Sequence, residues 1–170
     1  GGGHGHSDRL SIVLYADGKQ WVPDFGSCGY SSSEKGTWTA QTISHNTVVV
    51  DEVSHYPTGA GTPTWPCDSA KKQSRGVLEQ FQCDGVVKAA QARCTSAYEG
   101  ITLRRTTVLV GDGLVDFYEV QAAEEHQYDY PLHIAGAFEA ASVELADHEG
   151  VLAQKPGYQH IDQVRRGTAD

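Results

Sequence analysis

His4 and His6, in the run Gly3-His4-Gly5-His6-Ser7-Asp8, have the types and spacing for metal or substrate chemistry. In an extended segment, residues i and i+2 point to the same side, so the two imidazoles can meet at one place. The flanking glycines carry no Cβ and let a ligand or another backbone come close. His45 stands in Ser44-His45-Asn46-Thr47, directly before the β-branched run TVVVD. Asp24 ends the second strand expected of a hairpin turning at Asp17-Gly18, which sets it beside the segment 5–8. A carboxylate near His6, joined by His45 from a third segment, makes a two-histidine, one-carboxylate set. Imidazole nitrogen and carboxylate oxygen at ~2.0–2.2 Å suit zinc. A plainer reading stays open beside it. An HxH pair alone is weak in a chain with eight histidines, and Asp24 after Pro23 equally suits a turn residue that bonds its own backbone.

The elements that must position these residues read as strands. Residues 10–15 are apolar and β-branched, and residues 20–25 return after the Asp-Gly turn. The run 47–51 is too short and too β-branched for a helix. Residues 57–66 (PTGAGTPTWP) are a loop by composition. Residues 76–82 and 85–93 flank Cys83-Asp84, and residues 101–110 and 114–120 flank Gly111-Asp112-Gly113, as two further hairpins. Residues 128–134 and 138–145 complete the expected strands, and no segment carries a sustained helical period with caps. Strands at ~10-residue spacing with turn signals between them predict an all-β, antiparallel sandwich over 1–153. Residues 154–170 have few apolar anchors and read as a loop or ragged end.

Composition narrows the function. The net charge is −9 and the basic residues are scattered, which excludes the basic face of a nucleic-acid binder. No apolar run reaches the ~20 residues that span a bilayer, and no part reads as a secretory leader. The four cysteines form no CxxC pair, so a cysteine zinc site is not expected; disulfides and free thiols both stay open. Among other polar and aromatic residues, Asn46 reads as a strand-entry residue satisfying backbone, His133 as a satisfied core histidine, and Trp21 as core. Trp65, in the Pro-rich loop, has the better claim to a sugar platform. Arg104 and Arg105 lie on opposite faces of one strand, so at most one faces a cleft.

The ordered set GHGHSDRLSIVLYADGKQWVPDFG, SHNTVVVD, GITLRRTTVLV and YDYPLHIAG resembles the C-terminal half of heparinase II/III-like lyases. That group includes heparin and heparan sulfate lyases and oligoalginate lyases. The resemblance runs from about Gly3 to Gly136. It implies an antiparallel sandwich that partners an N-terminal helical toroid, with an acidic polysaccharide or oligosaccharide lying between them. It implies a structural zinc on His6, Asp24 and His45, and His4 facing the substrate to help neutralise a uronate carboxylate. The tyrosine base belongs to the toroid, which this chain lacks, so the chain alone is expected to be inactive. Relatives carry a substrate-reaching side chain between Asp24 and His45, for which Tyr30 and Trp38 are the candidates here. Such a substrate implies a periplasmic or secreted protein. Two other classes compete: a non-catalytic carbohydrate-binding sandwich, and a small cupin-like metal enzyme, to which an HxH pair is also suited.

Overall fold

The computed structural model describes residues 6–29, 32–55 and 74–169. The expected loop 57–66 lies outside them. The described strands are antiparallel and helix is almost absent, as expected of an all-β sandwich. Strands β1 (Leu14–Ala16) and β2 (Lys19–Val22) form the first hairpin. Asp17 and Gly18 turn it with φ of 51° and 74°. Two central residues at positive φ are what a type I′ turn requires, and Asp-Gly supplies them at least cost. Strand β3 (Val49–Val50) follows a π-helical turn at Lys35–Thr39 and a 3-10 turn at Thr42–Ser44.

The largest sheet is a meander in the order β4-β5-β6-β7. Its strands are β4 (Val77–Gln82), β5 (Val87–Tyr98), β6 (Ile101–Val110) and β7 (Gly113–Gln121). Strand β8 (Tyr128–Asp129) pairs with β3, and β9 (Ala146–Asp147) with β10 (Arg165–Arg166).

Alternation along the strands fixes where the core lies. Ile101, Leu103 and Arg105 of β6 are buried on one face, as a period of two requires. Ile101 and Leu103 pack with Cys94, Ala97, Val48 and Val50 in one apolar cluster. Val49, between the two valines that face this cluster, points the other way, into a second one with Ile43 and Tyr158. Every residue from 39 to 50 is buried. That segment threads between the two clusters and carries His45 and Asn46. Its polar groups must therefore find partners inside the protein.

Several expectations shift. Residues 10–13 are not strand: Leu10 turns at φ 60°, and the carbonyls of Leu10 and Ile12 accept bonds from Arg105 and Asn46 instead of a neighbouring ladder. Of residues 128–134 only the first two pair as strand. Pro131 has no N–H to give a ladder, and the N–H of His133 goes to the Asn46 side chain. Residues 138–145 form no strand. Trp21 is 41% exposed, not core, with the Lys19 ammonium 4.1 Å from its ring; β2 buries the next residue, Val22. In the last segment, Tyr158 is buried against Ile43 and Val49. Cys28, Cys83 and Cys94 are free thiols; Cys67 lies outside the described residues.

His55 closes the buried stretch from the far side. Its Nε2 donates to the Val48 carbonyl at 2.9 Å, and its Nδ1 accepts from the Arg9 N–H at 3.1 Å. That pair of bonds fixes the neutral ring. Burial pushes the His55 pKa down to about 3, against the opposing Val48 bond and with help from the Arg9 and His45 charges. The unfolded chain takes up a proton near pH ~6.5 that the folded chain refuses. The group therefore costs nothing above that pH, and stability falls as pH drops through the window from ~6.5 towards the folded value. The expected slope from this group is up to ~1.4 kcal/mol per pH unit. Urea midpoints between pH 7 and pH 5 measure it. A His55→Gln variant with the same pH slope would exclude His55 as the cause.

Candidate metal and substrate site

His45 leaves the 3-10 turn in extended conformation, at φ −115° and ψ 163°, and its ring is 1% exposed. The ring is held at both nitrogens. Nε2 lies 3.1 Å from the Thr39 carbonyl, and Nδ1 lies 2.7 Å from Oδ2 of Asp24. A carbonyl oxygen only accepts, so Nε2 carries the hydrogen. In the neutral ring Nδ1 is then a bare acceptor facing a carboxylate oxygen. Two acceptors at that distance repel. A proton on either group, or a metal ion between them, removes that repulsion.

Asp24 is set for that role. Its Oδ1 accepts the Gly26 N–H at 2.8 Å, closing a turn that Gly26 permits at φ 64°. The turn reading of Asp24 is what Oδ1 does, while Oδ2 faces His45. Partial burial pushes the Asp24 carboxyl up, but the His45 bond, the Gly26 N–H and the charges of His45 and His6 outweigh it and hold it below its ordinary value.

The His6 ring lies 5.4 Å from the His45 ring, centre to centre, with planes tilted by 39°. Two imidazoles on one tetrahedral zinc, with nitrogens at ~2.0–2.1 Å, have centres ~5 Å apart. The same geometry separates two donor atoms by ~3.4 Å, so the His45–Asp24 contact must open slightly to admit an ion. Among the described residues, no group of three His, Cys, Asp or Glu stands where it could hold a metal ion as placed. His6, Asp24 and His45 suit a zinc ion by donor type, and the spacing of the two rings comes near what a shared ion needs. The Thr39 carbonyl would fix the ring tautomer, as partners behind a metal-bound histidine commonly do.

The other expected site residues divide. His4, Tyr30 and Trp65 lie outside the described residues. Trp38 is half-buried against the second cluster. It lies 5.4 Å from Phe25, 6.1 Å from His133 and 5.8 Å from His160, between ring centres. Phe25 follows Asp24 directly and is 49% exposed, so an aromatic surface adjoins the histidine pair. His133 is the satisfied histidine expected, its Nε2 bonding the Ile43 carbonyl at 3.0 Å. Burial holds its pKa below the ordinary value.

Sequence reasoning undervalued what lies beneath. The Arg105 guanidinium is buried and makes a two-pronged pair with Asp116, at 2.8 and 2.7 Å. It also reaches the carbonyls of Leu10 and Asn46 and the hydroxyl of Tyr130. Arg104, on the opposite face, bonds Glu79. The available signal was alternation alone, which sets Arg105 on the face of Ile101 and Leu103.

The comparisons bear on the whole of this arrangement. The family described as "Heparinase II/III-like, C-terminal" matches residues 1–169. An "Alginate lyase" of Stenotrophomonas maltophilia (strain K279a) is 32% identical over 181 residues, 95% of this chain and 23% of that protein. An "Exo-oligoalginate lyase" of Saccharophagus degradans (strain 2-40 / ATCC 43961 / DSM 17024) is 31% identical over 180 residues, with the same two shares. The chain thus spans under a quarter of the length of these curated relatives. A match across nearly every residue is enough to assign it: the chain belongs to the heparinase II/III-like family and represents that family's C-terminal part.

Proposed function

We propose that this chain is the zinc-holding sandwich portion of a polysaccharide lyase acting by β-elimination on a uronate polymer, with alginate oligosaccharides the favoured class. The carrying observation is the His45–Asp24 contact, where a proton or a cation sits between two acceptor atoms, with His6 beside it. The two relatives named for alginate lysis support the substrate class. A helical partner domain is part of the proposal, since the chain covers so little of those relatives. Exposed apolar side chains on the large sheet, among them Leu78, Phe81 and Phe117, suit burial against further protein. An exported protein, periplasmic or secreted, fits a polymer of this kind.

When bound, zinc would supply a fixed positive centre that ties three segments together, with no open position needed. The chain's own residues do the rest. Asp24 holds its loop against the buried segment that carries His45. His6 fixes the chain two residues from His4. His4 donates to the uronate carboxylate and so stabilises the negative charge that develops when the C5 proton leaves. A tyrosine of the partner domain takes that proton. The released electron pair forms the C4–C5 double bond, the C4–oxygen bond to the leaving sugar breaks, and that oxygen takes up the proton that the tyrosine then carries.

The test uses a longer protein that includes the partner domain, with oligoalginate as substrate and ultraviolet absorbance of the unsaturated product as the signal. His4→Ala is expected to lower kcat by about 100-fold or more, the scale for losing one donor to a developing oxyanion. Elimination at an unchanged rate would remove His4 from the reaction and leave a carbohydrate-binding sandwich as the better account.

A further inference from the structure

We infer that Asn46 is the positioning residue of this site, setting the distance between the Asp24 and His45 loops without being a ligand. The inference rests on the metal reading above. Asn46 is fully buried and every group it has is used. Its Nδ2 donates to the Pro23 carbonyl at 2.8 Å and to the Ile12 carbonyl at 3.1 Å. Its Oδ1 accepts the His133 N–H at 2.7 Å. Its own N–H goes to the Ser11 hydroxyl at 3.1 Å, and its carbonyl receives Arg105 at 2.5 Å.

The positions of these partners matter more than their number. Pro23 directly precedes Asp24, and Asn46 directly follows His45. One side-chain amide therefore spans the two chains that carry the facing carboxylate and imidazole, one residue away from each. Its second N–H holds Ile12, on the stretch that leads back through Arg9 to His6. The Arg9 guanidinium bonds the His6 carbonyl at 2.6 Å, while the Arg9 carbonyl accepts the Thr47 hydroxyl at 2.7 Å. The segment 44–47 thus holds both other ligand-bearing segments, and the Asn46 amide is its central clamp. A planar amide with two donors and one acceptor is what these three partners require. A carboxylate of the same shape offers acceptors to two carbonyl oxygens.

The experiment compares the unsubstituted chain, Asn46→Asp, Asn46→Ser and Leu103→Ala. Leu103→Ala empties a core position in the first apolar cluster and controls for lost stability as such. Zinc affinity is measured by chelator competition. The visible absorption of the cobalt(II)-loaded chain reports coordination geometry. Both Asn46 variants are expected to bind zinc about 10- to 100-fold more weakly, the scale for residues behind a ligand, and to show an altered cobalt spectrum. Leu103→Ala should unfold more readily yet keep both readings. Asn46→Ser keeps the site measurable if the carboxylate variant does not fold. Folded Asn46 variants with unchanged affinity and spectrum would overturn the inference and leave the metal reading standing. An unsubstituted chain that binds no zinc would overturn the metal reading, and this inference with it.

Discussion

Asp116→Ala is expected to destabilise the fold by about 3 kcal/mol, the low end of the range for breaking a buried ion pair from one side. The substitution leaves the Arg105 charge in place, on a side chain only 3% exposed. Two carbonyls and the Tyr130 hydroxyl remain as partners, but none carries a compensating charge. Asp116 itself keeps some contact with solvent, which is why the lower end applies. Removing both charges is a different experiment. Arg105→Met with Asp116→Leu substitutes apolar side chains for the pair, and such exchanges are often neutral or stabilising elsewhere. Here the double variant should recover only part of the loss, because the Leu10 and Asn46 carbonyls then lack a donor. Urea unfolding at neutral pH separates the cases. A single Asp116→Ala variant within ~0.5 kcal/mol of the parent, the range of ordinary surface changes, would mean that water reaches the guanidinium and that the hub is not a closed one.

That hub marks where local sequence information ends. The Asp17-Gly18 turn was legible because its cause is local: two positive φ angles at adjacent residues suited to them. The meander of β4 to β7 was legible for the same kind of reason, from alternation and from turns at Cys83-Asp84 and Gly111-Gly113, although β5 runs on to Tyr98, past the expected end. The stretch 10–13 misled because its backbone is claimed by Asn46 and Arg105, which lie 34 and 95 residues away along the chain for the bonds in question. No pattern within a strand-length window carries that. The site divides in the same way. His6, Asp24 and His45 were singled out through their ordered motifs, and the structure sets His45 beside Asp24 and beside His6. Asn46 and Arg105 lie in quoted motifs, SHNTVVVD and GITLRRTTVLV, but neither motif gives them a role. An asparagine before a strand is usually a cap, and one arginine of a pair is usually solvated. Only their burial among oriented carbonyls shows otherwise.

Purified chain is expected to carry about one zinc ion, and His45→Ala to carry none, because that substitution removes a ligand candidate held at both ring nitrogens. The stability effect follows by mass action. At free zinc a thousandfold above Kd, binding to the folded chain alone contributes about 4 kcal/mol. For a domain of this size that is a Tm change of roughly 10 °C. Adding a strong chelator to the parent should lower Tm by that amount, and readdition of zinc should restore it. His45→Ala should start near the stripped value and ignore both treatments. The pattern tests the charge between Nδ1 of His45 and Oδ2 of Asp24, whose identity has only two forms. If it is a metal ion, Tm tracks zinc. If it is a proton on the ring, the parent shows no zinc by elemental analysis and no response to chelator, and His45→Ala is destabilised by the loss of a buried, charge-assisted bond alone. The second outcome would leave the family assignment untouched and withdraw zinc from the account of how the segment carrying His4 is held.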